Sequence, residues 1–348
     1  MMIETSNSPR ALVHLFPSEL VSVLHLDKSF RGEQVFKWIS RGVHSFHEMT
    51  DLPSDLRQTL AQEYPSIYSS TVEQTSVDKS DGSAKLQIRL HDNSFIEAVL
   101  LVDIHGRKTA CLSTQVGCGM QCAFCKTGTL GFLRNLESYE IIEQFLHIMN
   151  MFGKPNNIVF MGMGEPLLNV AHVRKAISIF TAVDGLMISK RKITISTCGI
   201  VPGIEELTAH NIGVRLAVSL TIADNELRSQ LMPVNQTWDL NLLKKALQAY
   251  QKTTGERITL EIPLLSGINT SPVYAQKLLN WITDLDVQIN VIAWNHVDEL
   301  HYKTPTSKEI NEFMQVLKLH KVNAVQRAKR GRNISGACGQ LGRLNNNQ

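Results

Sequence analysis

The sequence contains no uncharged apolar run long enough to cross a bilayer. Its longest uncharged run, residues 109–125, is interrupted by Ser, Thr, Gln and Gly, whereas a membrane helix needs about 20 predominantly apolar residues. Residues 1–6 also lack the basic start and the apolar stretch of a signal peptide. With 43% apolar residues in 348, the chain is globular rather than disordered in composition. We therefore expect a cytoplasmic protein of two domains, or one large domain with an appendage.

Acidic residues are absent from the end of the chain. No Asp or Glu occurs in residues 313–348, which hold seven of the 35 basic residues: Lys318, Lys321, Arg327, Lys329, Arg330, Arg332 and Arg343. The other 312 residues carry 28 basic and 32 acidic side chains, a net charge of −4. A cationic segment on a slightly acidic body favours a polyanion as a partner. The alternative interpretation is a solvated basic helix face without a partner.

Cysteine is scarce and unevenly placed. Six cysteines in a chain of this length do not make a secreted disulfide framework. Three of them form the run Cys118-Gly-Met-Gln-Cys122-Ala-Phe-Cys125, and the others are Cys111, Cys198 and Cys338. Three thiolates this close predict a common centre, either zinc or an iron–sulfur cluster. Because no fourth ligand follows at a similar spacing, we favour a cluster with one open iron over zinc and over structural buried cysteines.

Helical patterns dominate the beginning of the chain. They predict three short helices, over residues 17–26, 32–41 and 53–64. Val35, Phe36, Trp38 and Ile39 form the apolar face of the second helix. Residues 85–90 and 94–102 predict a β-hairpin across a polar turn.

From about residue 109, predicted strands and helices alternate. The strands are predicted at 110–116, 157–163, 192–197, 213–220, 257–263 and 288–294. The helices are predicted at 138–152, 170–183, 201–210, 240–253 and 272–284, and Thr306 with Glu309 has the capping-box pattern of one more. Repeated strand–helix units predict an α/β fold, a parallel sheet with helices outside that curves into a partial (β/α)6 barrel.

Polar residues follow the predicted strands. In barrels of this kind the ligand-binding residues lie at the C-terminal ends of the strands. The first strand leads into the cysteine run, and the others end in Gly162-Met-Gly164-Glu165-Pro166, Ser196-Thr-Cys198-Gly199, Ser219-Leu220-Thr221 and Trp294-Asn295. Each of these ends alone could be a helix cap or a turn, but together they predict one ligand site.

Three motifs carry a family resemblance. They are Cys111-Leu-Ser-Thr-Gln-Val-Gly-Cys118, Phe160-Met-Gly-Met-Gly-Glu-Pro-Leu-Leu-Asn169 and Ala337-Cys338-Gly-Gln-Leu341. The cysteine run on the first loop of a partial barrel resembles the radical S-adenosylmethionine superfamily. The three motifs together resemble the RlmN/Cfr-type adenine methyltransferases of ribosomal RNA, over nearly the whole chain. With the element pattern, this implies an RNA-binding helical accessory domain over residues 1–80, a β-hairpin extension over 81–104 and a radical S-adenosylmethionine core over 105–348.

The resemblance implies methylation of an adenine ring carbon. Such a carbon has no lone pair to attack a sulfonium methyl group, so cofactor radical chemistry is needed. By analogy with the family, Cys118, Cys122 and Cys125 hold a [4Fe–4S] cluster that binds S-adenosylmethionine and cleaves it to a 5′-deoxyadenosyl radical. Cys338 matches the thiol that is first methylated and then carries the methyl group to adenine. Cys111 matches the thiol that resolves the protein–RNA adduct through a disulfide with Cys338.

Further site residues follow from the same resemblance. Glu97 matches the general base that takes the ring proton, although it lies 14 residues before Cys111, about one more than in the family. The positions that match the S-adenosylmethionine site are Gly164, Glu165, Ser196, Ser219, Leu220, Thr221 and Asn295. Two departures from the family pattern occur, Thr221 in place of His and Ser335 in place of Asp. We interpret Cys198 as a small buried residue.

The resemblance also implies partners and leaves alternatives open. The expected partners are 23S ribosomal RNA, transfer RNA as a second candidate, and an electron donor such as flavodoxin or ferredoxin, with the chain as a monomer. Pro166 after Glu165 resembles the carbon-2 enzymes, whereas Arg228-Ser-Gln-Leu-Met-Pro233 is slightly nearer the carbon-8 enzyme; we favour carbon 2. The alternatives are a radical enzyme with a non-RNA substrate, which would not need Cys338, and an RNA-binding assembly factor with a structural metal.

Overall fold

The computed structural model describes residues 11–328 and 330–342. Lys329, Arg343 and residues 345–348, which belong to the predicted basic segment and tail, lie outside the described residues. The helices are α1 (Pro17–Val23), α2 (Ser29–Ser40), α3 (Ser54–Glu63), α4 (Lys126–Thr129), α5 (Ser138–Phe152), α6 (Val170–Thr181), α7 (Val201–His210), α8 (Asn225–Leu231), α9 (Leu240–Thr254), α10 (Pro272–Trp281) and α11 (Ser307–Leu319). The strands are β1 (Thr71–Val77), β2 (Ala84–Arg89), β3 (Phe95–Val102), β4 (Lys108–Cys111), β5 (Gln115–Gly117), β6 (Phe132–Asn135), β7 (Asn157–Phe160), β8 (Ile193–Thr197), β9 (Arg215–Ser219), β10 (Ile258–Leu264), β11 (Val287–Ala293) and β12 (Ala324–Gln326). Within these described residues, no helix is long and apolar enough to span a bilayer.

One sheet organises the molecule. Its strand order is β1-β2-β3-β4-β7-β8-β9-β10-β11-β12. The first four strands pair antiparallel. From β4 onwards each pairing is parallel. Parallel neighbours need crossover connections, and helices supply them here. The predicted α/β fold with parallel strands, outer helices and an N-terminal helical region is confirmed.

Helix boundaries agree closely with the sequence pattern. The predicted ranges 138–152 and 201–210 are those of α5 and α7. The α11 helix begins with the predicted capping box, in which the Thr306 side chain accepts from the Glu309 N–H and the Glu309 carboxylate accepts from the Thr306 N–H. Such signals are local, so they are legible in the sequence.

The predicted first barrel strand, residues 110–116, is wrong as a single element. It is two strands, β4 and β5, because the chain changes partners after Cys111. β4 pairs with β7, whereas β5 pairs antiparallel with β6 in a separate two-stranded sheet. The sequence pattern also missed β1, whose residues are mostly exposed or half-buried and show no clear alternation. β1 lies inside the range predicted as a helical domain, and the division into domains stays a prediction.

The N-terminal helices pack through their apolar faces. Val35, Phe36 and Ile39 of α2 are buried. Trp38, predicted on the same face, is half-buried, and its indole N–H donates to the Asp51 carboxylate at 2.6 Å. At Gly32 the helices α1 and α2 approach so closely that a Cβ would lie 2.3 Å from the Pro17 carbonyl oxygen.

A buried polar cluster joins this helical part to the core. The Glu143 carboxylate, on α5, accepts from the N–H and hydroxyl groups of both Ser69 and Ser70. Ser70 also contacts the His147 ring at 3.0 Å, and that ring stacks on Tyr68. The carboxylate is fully buried and accepts four hydrogen bonds, so its removal would leave these donors short of an acceptor. The chain segment between α3 and β1 is thereby fixed to α5.

We expect Glu143→Ala to lower the free energy of unfolding by about 3 kcal/mol, because two buried and two half-buried donors lose their acceptor. Urea unfolding followed by circular dichroism measures this change. Glu205→Gln, at an exposed position of α7, is the control and should be neutral. An Ala variant as stable as the wild type would show that the cluster does not hold the two parts together.

Candidate active site

The C-terminal ends of the parallel strands surround one cavity. This is the rim at which such folds bind ligands. Among the residues that line it are Cys118, Cys122, Cys125, Gly164, Glu165, Ser196, Cys198, Ser219, Glu261, Asn295, Arg327 and Cys338. They come from the ends of β8 and β9, from β10, from the loops after β5, β7, β8, β11 and β12, and from the C-terminal segment. The fold therefore brings together residues separated by more than 200 positions in the chain.

The cysteine run forms an irregular loop on one wall. Its geometry is held by backbone bonds: Cys118 N–H donates to the Gly131 carbonyl, and Ala123 N–H donates to the Leu231 carbonyl at the end of α8. Gln121 takes a left-handed conformation, with φ of 52°, to turn the loop. These contacts direct the cysteines of the run to the same cavity.

Burial sets the chemistry of these thiols. It raises the pKa of Cys118 to about 12 and also raises the pKa of Cys122 and of Cys125. Other thiols of the run raise the pKa of Cys118 and Cys122 further, and Cys338 raises that of Cys125. Such thiols ionise only when a cation replaces the lost hydration, as a metal centre does. Three sulfur donors on an open loop fit an iron–sulfur cluster. In the part of the chain that the structure describes, no group of three or more His, Cys, Asp or Glu side chains is arranged to hold a metal ion.

The segment after β7 presents backbone to the cavity. Gly164 has φ of 100°, and a Cβ there would lie 2.5 Å from the Gln115 side chain, so only glycine fits. The Glu165 carboxylate is buried and accepts from the N–H groups of Leu167 and Cys198, at 2.9 and 2.8 Å. Burial raises its pKa. Glu165 thus joins two strand ends while its own N–H donates to Gln115.

Not all predicted cofactor residues reach this cavity. Ser196, Ser219 and Asn295 line it, whereas Leu220 and Thr221 are fully buried outside its wall. Thr221 has φ of 65°, which is unusual for a β-branched residue. Its hydroxyl has no hydrogen-bond partner among the described residues.

A buried arginine supports the cavity wall near Leu220. The Arg228 side chain, on α8, donates to the carbonyls of Leu220 and Cys198, at 3.0 and 2.7 Å. It also donates to the Asn235 amide oxygen at 2.9 Å. The residue is completely buried, and its partners among the described residues are two carbonyls and an amide oxygen rather than a carboxylate. Burial lowers its pKa. Only the tertiary structure reveals this role, since an arginine within a short helix is ordinarily a surface residue.

Two cysteines lie at a second cavity beside the first. Cys111, at the end of β4, and Cys338 both line it, and Cys338 lines the first cavity as well. Burial and the neighbouring Cys338 raise the pKa of Cys111 to about 12. Both cysteines are free thiols in the structure. Arg327 also lines both cavities.

Glu97 lies in a different place from these thiols. Its carboxylate accepts from the Gly342 N–H at 2.6 Å and pairs with the Lys85 ammonium group at 2.9 Å. It lines a third, polar crevice together with Lys126 and Gln340, not the cavity of Cys111 and Cys338. The structure therefore brings Glu97 to the end of the segment that carries Cys338, rather than to the sulfur itself.

The β1–β2 turn and the rim of the sheet hold that segment. The Asp81 carboxylate accepts from the Gly331 N–H at 2.9 Å, and the Asp78 carboxylate accepts from the Asn333 amide at 3.1 Å. On the opposite side, the Asn295 amide donates to the Cys338 carbonyl at 3.2 Å. The β1–β2 turn and the rim of the sheet together fix the position of Cys338.

Two known protein families match parts of this chain. The model of the radical SAM superfamily matches residues 112–275. The model described as the ribosomal RNA large subunit methyltransferase N-terminal domain matches residues 24–64. The two matches cover the cysteine loop with most of the parallel strands, and helices α2 and α3.

Individual relatives match over almost their full length. The chain is 48% identical to a probable dual-specificity RNA methyltransferase RlmN of Treponema denticola, over 95% of each chain. It is 46% identical to the protein of that name from Treponema pallidum strain Nichols, over 96% of this chain and 97% of the relative. A crystal structure of a radical SAM methyltransferase from Sphaerobacter thermophilus has a TM-score of 0.90 at 35% identity, covering 96% of this chain and 99% of that one.

We expect the double variant Asp78→Ala, Asp81→Ala to loosen the Cys338 segment, because charge-assisted hydrogen bonds to Gly331 and Asn333 are lost. Amide hydrogen exchange over residues 330–342 should become about tenfold faster. Mass spectrometry of the corresponding peptide measures this rate. Asp103→Ala, which removes a carboxylate bonded within its own loop, is the control. Equal exchange in both variants would show that the β1–β2 turn does not hold the segment.

Proposed function

The chain belongs to the RlmN family of radical S-adenosylmethionine RNA methyltransferases, and we propose that it methylates carbon 2 of a specific adenosine in 23S ribosomal RNA, with transfer RNA as a second substrate. Membership of the superfamily implies a [4Fe–4S] cluster and S-adenosylmethionine. When bound, these cofactors supply a radical that can activate an unreactive C–H bond.

One observation carries the proposal: Cys338 lines both cavities. One cavity contains the three-cysteine loop and the glycine-rich segment after β7, and the other contains Cys111. A thiol at this junction can take a methyl group from a cofactor on one side and present it to a base on the other. A radical enzyme that only abstracts hydrogen needs no such carrier, which disfavours a non-RNA substrate.

The residues of the first cavity take binding roles in this proposal. Cys118, Cys122 and Cys125 hold the cluster. Gly164 and Glu165, with Ser196, Ser219 and Asn295, bind S-adenosylmethionine. Leu220 and Thr221 act through the backbone, which Arg228 and Asn269 hold by hydrogen bonds to their carbonyls at 3.0 and 3.1 Å. A side chain at position 221 is then free to differ from the family histidine.

The remaining residues move a methyl group and a proton. The Cys338 sulfur attacks the sulfonium methyl group of one S-adenosylmethionine, which leaves as S-adenosylhomocysteine. With the cofactors bound, the S-methyl group of Cys338 would lose a hydrogen atom to the radical that they supply, and its carbon would form a bond to the adenine ring carbon. Glu97 would take the ring proton as the adduct returns one electron to the cluster. For this step the Glu97 carboxylate must leave the Gly342 N–H, so a shift of the Cys338 segment frees the base. Attack of Cys111 on the Cys338 sulfur finally releases the methylated RNA and leaves a disulfide.

The RNA substrate is supported by the N-terminal domain and by the basic segment. Residues 24–64 match a ribosomal RNA methyltransferase domain. The half-buried Arg330 and the exposed Arg332 lie on the segment that leads to Cys338, where phosphates of a bound RNA would pass. A ring carbon is reached only when the base is unstacked, so an unpaired adenosine inserts toward Cys338. Flavodoxin or ferredoxin as electron donor, and a monomeric state, stay predictions.

Mass spectrometry of nucleosides from ribosomal and transfer RNA tests the function. We expect 2-methyladenosine in both RNAs from cells that express the chain, and its absence after deletion of the gene. Because 2-methyl- and 8-methyladenosine have different retention times, the same measurement decides the ring position. Detection of 8-methyladenosine without 2-methyladenosine would contradict methylation at carbon 2. If neither RNA changed after deletion of the gene, RNA methylation by this chain would be contradicted.

Cys338→Ala and Cys111→Ala should fail in different ways. Without Cys338 there is no methyl carrier, so neither methylated protein nor methylated RNA forms. Without Cys111 the carrier still joins the adenine, and a covalent protein–RNA adduct accumulates as a shifted band on a denaturing gel.

Iron and sulfide content provides the control for this comparison. It should equal the wild-type value in both variants and fall in Cys122→Ala, because only the last removes a proposed cluster ligand. Normal turnover by Cys111→Ala without an adduct would contradict the methyl-relay mechanism.

A further inference from the structure

One carboxylate in the first cavity is incompletely bonded. Glu261, on β10, is buried, and one of its oxygens, Oε1, accepts from the Asn290 amide at 2.9 Å. Its second oxygen, Oε2, is buried without a hydrogen-bond partner among the described residues. A buried acceptor of this kind costs free energy unless a ligand donates to it. Glu261 lines the cavity, so a ligand there can supply the donor.

A guanidinium group faces the same carboxylate. Nη1 of Arg327 lies 3.6 Å from Glu261 Oε2, which is beyond a normal N–H···O hydrogen bond. The same nitrogen approaches the Met161 sulfur at 3.6 Å. The Arg327 backbone is fixed, since its N–H donates to the Val291 carbonyl at 2.8 Å. An arginine has five N–H donors, and these contacts leave most of them for a ligand in either cavity.

An acceptor beside a donor is the pattern that reads adenine. The adenine edges present an exocyclic N6 amine, which donates, next to a ring nitrogen, which accepts. We propose that Glu261 Oε2 accepts from the N6 amine of the target adenosine and that Arg327 donates to the ring nitrogen beside it. This role rests on the proposed function, and it names the two residues that select adenine within the RNA. Guanine would place a carbonyl oxygen against the carboxylate. Two buried acceptors would then face each other without a donor, which disfavours guanine.

The position of the pair favours the RNA base over the adenine of S-adenosylmethionine. Arg327 lines the cavity of Cys111 and Cys338 as well as the first cavity, so a base held by it lies beside the carrier thiol. Gly164 follows β7, three strands from β10 in the sheet, and the cysteine loop follows β5 of the separate two-stranded sheet.

Glu261→Gln is the sharpest variant. Because Asn290 donates to Oε1, the amide oxygen of Gln would stay there and its NH2 group would replace the Oε2 acceptor. Binding is measured by fluorescence anisotropy on the unreduced holoprotein. The probes are a 23S ribosomal RNA fragment with the target adenosine, and the same fragment with purine riboside, which lacks the N6 amine. Calorimetry measures the Kd of S-adenosylmethionine in parallel.

We expect the wild type to bind the adenosine fragment about tenfold more tightly than the purine fragment. In Glu261→Gln this preference should disappear, through weaker binding of the adenosine fragment, with the Kd of S-adenosylmethionine unchanged. Glu256→Gln, which removes a carboxylate just before β10, should retain the preference. Arg327→Gln should weaken the binding of both fragments, and it serves as the test variant if Glu261→Gln does not fold.

Each other result overturns the inference. If Glu261→Gln still preferred the adenosine fragment over the purine riboside fragment, Glu261 and Arg327 would have a structural role only. A raised Kd of S-adenosylmethionine with a preserved preference would assign the pair to the cofactor adenine. A wild type that binds neither fragment would instead contradict the proposed function itself.

Discussion

Parallel pairing of β4 with β7, and of each later strand with the next, is the constraint on which the site depends. It places the C-terminal ends of these strands on one rim. The cysteine loop, Glu165, Ser219 and Arg327 then meet around one cavity, although they are distant in the sequence. The antiparallel strands β1 to β3 extend the same sheet, so the turn that holds the Cys338 segment has a fixed relation to the rim.

Buried polar groups give this rim its rigidity. Arg228 bonds the backbone after β8 and β9, and Glu165 bonds the backbone after β7 and β8. Each of these groups is costly to bury, and each is compensated by several hydrogen bonds. Glu261 and Arg327 differ, because the Glu261 Oε2 atom has no hydrogen-bond partner among the described residues and lies 3.6 Å from the Arg327 guanidinium group. We infer from this contrast that Arg228 supports the cavity wall, whereas the Glu261–Arg327 pair is open to a ligand.

The segment that carries Cys338 has the opposite character. It has little regular structure and is held by side chains from the β1–β2 turn, by Glu97 and by the rim. Contacts of this kind break individually, whereas a strand in the middle of a sheet does not separate without losing its ladder. Such a segment can change position. This suits the proposed role of Cys338, whose thiol approaches first a cofactor and then a base. The bond between Glu97 and Gly342 links the position of the segment to the availability of the carboxylate.

Local signals determined much of this structure from the sequence alone. The spacing of Cys118, Cys122 and Cys125, the alternation of apolar strands with amphipathic helices, and the Thr306 cap depend on neighbours only a few residues away. Long-range contacts decided the rest. Leu220 and Thr221 turn away from the cavity because Arg228 and Asn269 hold their carbonyls, and Glu97 faces a separate crevice because Lys85 and Gly342 bind it there. No sequence pattern reveals such side-chain directions, because the partners that fix them are distant in the chain and meet only in the folded sheet.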